Sequence, residues 1–213
     1  MSNLAYKHDY RRHLPHIQPP GASLFVTFRL VGSIPNVFLE ELRKEAIHID
    51  FLLNCIVDKR DRVLRAEREH KRLFARWDDY LDATTDGPHW LKEPEVAQLV
   101  CKSLHYRDGD VYDLDTFCIM SNHGHLLFTP LEEGNGRYHS LSSIMHSLKI
   151  YTALNANNIL GREGQFWQHE SYDHFVRNEK ERKRIRQYIL NNPVKAGLVE
   201  FWDEWPWAYC KYP

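Results

Sequence analysis

The sequence predicts a mixed α+β fold, and three observations support this class. Short runs rich in β-branched and aromatic residues indicate strands, and longer segments with apolar residues at three-to-four spacing indicate helices. These segments follow one another in the order β, α, β, β, α. The chain of 213 residues is 43% hydrophobic, so it can bury a core as one domain with an elaboration or as two small domains.

The first part of the chain is predicted to form one strand and a long helical segment. The breaker QPPGA precedes the strand SLFVTFRLVGS. No Gly or Pro follows Pro35 until after Ala83, and apolar residues recur at helical spacing from Leu39 to Ile56. We therefore expect one long helix or a helical hairpin, inserted at about residues 36–86. Its charged middle is typical of a solvated helix face.

Further elements are predicted after this insertion. A helix over EPEVAQLVCKSLHY has a proline at an early helical position. The strands VYDLDTFCIM and HGHLLFTP are joined by a turn at Ser121 and Asn122. Serines cap the helix SLSSIMHSLKIYTALNANNIL, GQFWQHESYDHFV contributes a short strand, and Pro193 is expected to stop the helix NEKERKRIRQYILNN. We interpret the aromatic tail, at about residues 199–213, as a packing clamp.

His123 and His125 carry the clearest chemical signal. Successive side chains of a strand point to opposite faces, so residues two apart share a face. Apolar residues flank the pair on both sides, which supports a strand. Two neutral imidazoles on one face make half of a metal site. A solvated strand face that holds two of the 13 histidines by chance is the alternative.

Composition argues against several classes of protein. The formal net charge of −1 neither requires nor excludes a polyanionic partner. The four cysteines are widely spaced, which argues against a zinc ribbon and a disulfide framework and favours a reducing cytoplasm. The start MSNLAYKHDYRRHL lacks the apolar core of a signal peptide, and no apolar run approaches the ~20 residues that span a bilayer. We expect a cytoplasmic protein without a membrane partner.

The last predicted helix combines a phenol, an amide and positive charge. Tyr188 and Asn192 are four residues apart and therefore project from one face. The segment RNEKERKRIR that leads to them has six basic residues and two acidic ones, a patch suited to phosphates. A half-buried core tyrosine and a solvated helix face are the plainer interpretations of the same residues.

Four motifs, MSNHGHLLFTP, SLKIYTALNAN, GQFWQHESYDHFVR and RQYILNNPVKAGLV, resemble in this order the REP-associated tyrosine transposases. These are single-tyrosine HUH transposases similar to the insertion-sequence-200 group. The resemblance covers the first strand and about residues 90–207. It implies a ferredoxin-like core, in which an antiparallel sheet carries helices on one face, and a single HUH transposase-like domain over residues 1–213 with the helical insertion.

The resemblance implies roles for four residues by their position within the matching motifs. His123 and His125 would be metal ligands, Asn192 the third ligand and Tyr188 the nucleophile. The cofactor would be a divalent metal, Mg²⁺ or Mn²⁺: the mixed nitrogen and oxygen ligands favour Mn²⁺, and cellular abundance favours Mg²⁺. The competing candidate, Tyr151, lies on a helical face with apolar residues, and we assign it to packing.

The family cleaves and rejoins single-stranded DNA through a 5′-phosphotyrosine intermediate, so the implied partner is single-stranded or hairpin DNA of the REP type. Basic residues of the last helix and its flanks would contact phosphates: Arg177, Lys180, Arg182, Lys183, Arg184, Arg186 and Lys195. Trp167 or Tyr172 could stack on bases, with a core position the plainer assignment for Trp167. We expect a bacterial, nucleoid-associated monomer, with a dimer as the alternative.

Two positions depart from the family pattern. Gly124 replaces a bulky apolar residue between the histidines. That side chain would point into the core, so we expect lost packing and a more flexible strand. Ser121 stands where a proline is usual, and we expect the turn to tolerate it.

Two other functions stay open from the sequence. A hairpin-DNA-binding protein without catalysis, regulatory or architectural, would follow if Gly124 marks lost activity. A metal-dependent hydrolase with water as nucleophile would need an acidic general base near the histidines, for which Asp173 and Glu170 are available.

Overall fold

The computed structural model describes residues 19–212, so the predicted features of the N-terminal segment lie outside the described residues. Two compact units divide the chain. The sheet unit comprises residues 19–31 and 89–212, and the hairpin unit comprises residues 32–88. The organisation of residues 1–213 as one transposase-like domain with an insertion stays a prediction. Across residues 19–212, no helix has the length and apolar content that crossing a bilayer requires.

The strands and α-helices are named here in chain order. They are β1 Leu24–Arg29, α1 Asn36–Asn54, α2 Lys59–Ala83, α3 Pro94–His105, β2 Tyr112–Ile119, β3 His123–Pro130, β4 Glu132–Gly134, β5 Arg137–Tyr138, α4 Leu141–Ile159, β6 Tyr172–Phe175, α5 Glu179–Lys195 and β7 Ala208–Cys210. Short 3-10 helices cover Trp90–Lys92 and Trp202–Glu204.

The sheet unit is built on a five-stranded antiparallel sheet in the order β6-β1-β3-β2-β7. Four of these strands, β6, β1, β3 and β2, have the order of a ferredoxin-like βαββαβ fold, and β7 extends the sheet beside β2. The predicted α+β class with an antiparallel sheet is therefore confirmed. The predicted turn at Ser121 and Asn122 connects β2 to β3.

Helices α3 and α4 pack together on one face of this sheet. Their apolar residues Val100 and Leu148 join Val26, Phe28 and Leu126 of the strands in the main hydrophobic core. Helix α5 contacts β2 and β3 through the opposite face, where the two histidines lie. The predicted single helical face thus holds for α3 and α4, and α5 adds a second layer.

Helix α5 continues through Pro193, so the prediction that this proline stops the helix is wrong. A proline cannot donate a hydrogen bond to the carbonyl one turn earlier, here that of Ile189. The Asn192 side chain instead donates from Nδ2 to the carbonyls of Tyr188, at 2.9 Å, and Ile189, at 3.4 Å. This amide partly replaces the missing backbone donor, and the helix runs on to Lys195.

The hairpin unit consists of α1 and α2, which resolves the choice between one long helix and a helical hairpin. The chain leaves the helix between Asn54 and Lys59. The Asp58 carboxylate caps α2 by accepting a hydrogen bond from the Asp61 amide at 2.8 Å. A small core of three buried residues holds the two helices together: Ile49, Leu53 and Leu73.

Gly124 permits a close approach within the core, and the packing loss expected there is wrong. A Cβ added at this glycine would lie 2.8 Å from both Ile119 Cδ1 and Phe28 Cζ. Both neighbours are fully buried, so they already fill the space that a larger side chain would take.

We expect Gly124→Ala to lower the free energy of unfolding by about 1–2 kcal/mol, because the added methyl group overpacks the core. Urea denaturation of both proteins measures the difference. The double variant Gly124→Ala/Ile119→Val removes the clashing Cδ1 atom and should lose less stability than the two single variants combined. An alanine variant as stable as the parent would contradict this packing.

Candidate functional site

The alternation of β3 places His123 and His125 on the sheet face that α5 covers. Gly124 between them is paired with Phe28 of β1 and Ile119 of β2, which belong to the opposite face. Both imidazoles are almost completely inaccessible to solvent, at 1% and 0% exposure. The alternative of a solvated strand face is therefore excluded.

The two rings of the histidine pair, His123 and His125, present their Nε2 atoms to each other at a distance of 3.1 Å. Each Nδ1 atom has a side-chain partner. The Nδ1 atom of His123 lies 2.6 Å from Asn122 Oδ1, and that of His125 lies 2.9 Å from Thr27 Oγ1. These contacts direct both Nε2 atoms to one point.

Burial and, to a smaller extent, the charge of Lys195 lower the pKa of His123 to about 3. Burial also brings the pKa of His125 well below its usual range, with contributions from His123 and Lys195, while the Asn192 side chain partly opposes the shift. Both imidazoles are therefore neutral near pH 7. Neutral imidazole is the form that binds metal ions.

Helix α5 brings Tyr188 and Asn192 to the histidine pair. The centroid of the Tyr188 ring lies 5.5 Å from that of His125 and 5.9 Å from that of Phe25, edge-on in both cases. Asn192 is 2% exposed, and its Oδ1 atom is buried with no hydrogen-bond donor among residues 19–212. A buried oxygen without a donor is costly unless a ligand supplies positive charge.

The donor atoms at this place fit a divalent cation. Two imidazole nitrogens converge, and the acceptor oxygen of Asn192 is buried without a hydrogen-bond partner among residues 19–212. The Asn192 side chain lies near enough to His125 to raise the pKa of that imidazole. Imidazole and carbonyl-type oxygen ligands are compatible with Mn²⁺ and, for the oxygen, with Mg²⁺. The three side chains predicted as ligands thus lie together with the predicted nucleophile.

A buried ion-pair cluster fixes α5 on the sheet. The register between β2 and β3 shifts at Asp115, where a β-bulge inserts one residue. The fully buried Asp115 carboxylate accepts hydrogen bonds from Arg182 Nε at 2.7 Å and Arg186 Nε at 2.9 Å. It also accepts one from Thr116 Oγ1 at 2.7 Å. Two successive turns of α5 are therefore tied to β2.

Opposing effects set the pKa of the Asp115 carboxyl. Burial raises this pKa, but hydrogen bonds from Arg186 and Thr116 and the charges of both arginines outweigh it, so the pKa lies below the ordinary value of 3.8. The ionised form is the stabilised one in the folded protein.

The first turn of α5 has a second anchor. Asn178 caps the helix by accepting a hydrogen bond from the Glu181 amide at 2.9 Å. The buried Glu181 carboxylate accepts from the Arg177 amide at 3.0 Å and lies 3.2 Å from His174 Nε2 of β6. The helix is thus connected to both β2 and β6.

The seven basic residues predicted to contact DNA fall into distinct positions. Arg182 and Arg186 bind Asp115, and the Arg177 guanidinium lies 5.4 Å from the Phe175 ring centroid. Lys195 is exposed, yet near enough to the histidine pair to lower both pKa values. The remaining three are exposed on α5: Lys180, Lys183 and Arg184.

Three aromatic residues are placed as follows. Tyr151 is 51% exposed on α4, so its assignment to packing is wrong; the buried stripe of that helix includes Leu148 and Thr152 instead. Trp167 is a core residue, and its Nε1 atom donates to Thr152 Oγ1 at 2.8 Å. Tyr172 is partly exposed and packs edge-on against Phe25, on the face of the histidine pair.

The acidic base that a hydrolase would need is not supported at Asp173. This residue is paired with Val26, whose side chain belongs to the core under α3 and α4. Directly opposed residues of antiparallel strands share a face, so Asp173 belongs to the face opposite the histidine pair.

The sequence interpretation missed three residues around this site: Thr27, Asp115 and the side chain of Asn122. Thr27 becomes visible only through the pairing of β1 with β3, and Asp115 only through the bulge. Asn122 had a local signal, because it directly precedes His123 in the turn.

Comparison with known proteins gives a consistent result. Residues 95–192 match the family described as "Transposase IS200 like". A putative REP-associated tyrosine transposase from Haemophilus influenzae is 29% identical over 115 residues, which cover 50% of this chain and 65% of the relative. A REP-associated tyrosine transposase from Escherichia coli K12 is 28% identical over 99 residues, which cover 46% of this chain and 53% of the relative. The aligned regions thus span less than two thirds of either relative.

A solved structure shares the fold. It is described as a REP-associated tyrosine transposase bound to a REP hairpin, and it aligns with a TM-score of 0.52 at 15% identity. The alignment covers 92% of this chain and 81% of that one. The family match and the two relatives confirm the resemblance that the sequence motifs indicated, and the solved structure shows that the fold is shared.

We expect Asp115→Asn to lower the free energy of unfolding by about 2 kcal/mol at pH 7, because two arginines lose a charged partner. A carboxyl with a lowered pKa stabilises the fold above its ordinary pKa and loses this effect as the pH falls through its folded-state pKa. The difference between parent and variant should therefore shrink below about pH 4. Urea denaturation across this pH range measures it.

The matched control is Asp113→Asn, which changes a partly exposed carboxylate on the same strand that pairs with Lys211. We expect little change in stability, since exposed ion pairs contribute little. Equal losses in the two variants would contradict the anchoring role of Asp115.

Proposed function

From its relationship to the REP-associated tyrosine transposases, we propose that this chain is a metal-dependent single-stranded DNA endonuclease and strand transferase. It acts on hairpin DNA through a 5′-phosphotyrosine intermediate formed by Tyr188. The observation that carries the proposal is the convergence of the two Nε2 atoms beside the Tyr188 ring and the donor-free Asn192 oxygen.

The reaction exchanges one phosphodiester for another. The Tyr188 oxygen forms a bond to phosphorus and gives up its proton, while the bond from phosphorus to the 3′ oxygen breaks and that oxygen takes up a proton. A second 3′-hydroxyl can reverse the step, because the bond to tyrosine conserves the phosphodiester. Cutting and joining therefore need no nucleotide cofactor.

Each residue of the site has a defined part in this scheme. A bound Mg²⁺ or Mn²⁺ would supply a Lewis acid that polarises the scissile phosphate. His123, His125 and Asn192 would hold it, and the low imidazole pKa values keep both nitrogens available. A free tyrosine has a pKa of about 10, so Tyr188 reacts only when it is aligned with an activated phosphate.

The surface of α5 supplies the DNA contacts in this proposal. Arg184, Tyr188 and Lys195 recur at helical spacing on one side of the helix, so positive charge flanks the nucleophile. Lys180 and Lys183 extend the exposed charge, whereas Arg182 and Arg186 hold the helix through Asp115. Tyr172, on the same sheet face as the histidine pair, is a candidate for stacking on an unpaired base.

We expect the parent protein to form a covalent adduct with a labelled hairpin oligonucleotide carrying a single-stranded flank, in the presence of Mn²⁺. Tyr188→Phe should abolish the adduct, because the attacking oxygen is removed. Denaturing electrophoresis detects the labelled protein. The control is Tyr151→Phe, since Tyr151 is exposed on α4, on the other side of the sheet.

The same assay includes His125→Ala and a chelator. Both should abolish cleavage while hairpin binding persists in a gel-shift measurement. A covalent adduct that still forms with Tyr188→Phe would exclude Tyr188 as the nucleophile. A parent that binds the hairpin but yields neither adduct nor cut strand would favour a regulatory or architectural DNA-binding protein.

We expect Arg184→Ala and Lys183→Ala to weaken hairpin binding and to reduce the slope of log affinity against log salt by about 1 each, if each side chain contacts one phosphate. Fluorescence anisotropy at several salt concentrations gives the slope. Lys102→Ala is the control, because this exposed lysine lies on α3, on the opposite face of the sheet. Unchanged slopes for both α5 variants would place the DNA elsewhere.

A further inference from the structure

We propose that Thr27 and Asn122 are positioning residues for the histidine pair, which hold both imidazoles with Nε2 directed to the cation site. The inference rests on the metal site of the proposed function, but its spectroscopic test does not require a bound metal. Neither residue belongs to the four that the family resemblance assigns. A metal-binding histidine usually needs a partner at its other nitrogen, because that partner fixes both the tautomer and the ring orientation.

Asn122 sets the tautomer of His123. Its Oδ1 atom lies 2.6 Å from His123 Nδ1, and a carboxamide oxygen can only accept a hydrogen bond. The proton of the neutral ring is therefore held at Nδ1, and the Nε2 atom carries the lone pair. The turn itself is fixed, since the Asn122 carbonyl accepts from the Leu30 amide at 2.9 Å and the side chain is 1% exposed.

Thr27 sets the orientation of His125 from the neighbouring strand. The two residues are directly opposed in the pairing of β1 with β3, and the Thr27 hydroxyl lies 2.9 Å from His125 Nδ1. Both residues are completely buried, so water cannot replace this contact. The hydroxyl can accept as well as donate, so it is compatible with the Nδ1–H form that leaves Nε2 for a metal. A β-branched side chain also has a restricted χ1 angle, which keeps the oxygen in place.

A purely structural role for these two hydrogen bonds makes a different prediction. If they served only to satisfy buried nitrogens, their loss would reduce stability without a specific effect on metal affinity. The Ser23–Thr129 pair provides a comparison within the same sheet. Thr129 Oγ1 lies 2.7 Å from Ser23 Oγ, and Thr129 is on β3 four residues beyond His125.

The test uses the full chain with Thr27→Val and Asn122→Leu, which keep similar volume and remove the hydrogen bond. Mn²⁺ binding is followed by electron paramagnetic resonance. The tautomer of His123 is read in the metal-free protein from nitrogen-15 NMR at pH 7. We expect about 10- to 100-fold weaker Mn²⁺ binding in both variants and loss of the Nδ1–H preference of His123 in Asn122→Leu. Thr129→Val should bind Mn²⁺ as the parent does.

Conservative variants keep the test decisive if an apolar variant does not fold. Thr27→Ser and Asn122→Asp retain an acceptor and should keep the Nε2 lone pairs and most of the Mn²⁺ affinity. The inference would be overturned if Thr27→Val and Asn122→Leu both bound Mn²⁺ with the affinity of the parent and the tautomer of His123 were unchanged in Asn122→Leu. If the parent binds no Mn²⁺, the Mn²⁺ site of the proposed function is refuted. The positioning role of Asn122 is then decided by whether Asn122→Leu changes the tautomer of His123.

Discussion

The antiparallel pairing of β1 with β3 is the constraint on which the candidate site depends. It places Thr27 opposite His125, and the alternation of β3 then puts His123 on the same face. A shift of one residue would turn both imidazoles into the apolar core under α3 and α4. Gly124 helps to prevent such a shift, because Phe28 and Ile119 leave no room for a larger group at that position. One register thus fixes both the core and the site.

The second requirement is a helix held at a fixed rotation above this face. Asp115, displaced by a β-bulge, binds Arg182 and Arg186 on successive turns of α5. Burying three charges is costly unless they are paired, so these contacts tolerate little rotation of the helix. Near its end, Asn192 donates to backbone carbonyls around Pro193, and this leaves Oδ1 as its remaining polar atom. One amide therefore supports the helix and offers an oxygen to the site.

The sequence predicted the parts of the site that depend on local periodicity. Residues two apart in a strand and four apart in a helix must share a face, which grouped His123 with His125 and Tyr188 with Asn192. It could not predict which residues of other strands would meet them. Thr27 and Asp115 depend on register and on a bulge, both of which are set by long-range packing. The predictions for Pro193 and Tyr151 were wrong for a similar reason. Helix propensity does not show that the Asn192 side chain donates to the Ile189 carbonyl, or that nothing covers the part of α4 where Tyr151 lies exposed within the described residues.

The division of α5 into faces explains why the basic segment cannot be interpreted as one uniform patch. Arg182 and Arg186 form ion pairs with Asp115. Tyr188 and Asn192 face the histidine pair, whereas Lys180, Lys183 and Arg184 are exposed. Because a helix is rigid over such a length, these faces move together. A change that loosens the Asp115 cluster would therefore also move the Tyr188 oxygen relative to the imidazoles. Stability and the geometry of the candidate site are therefore coupled through the rotation of a single helix, and Asn192 takes part in both.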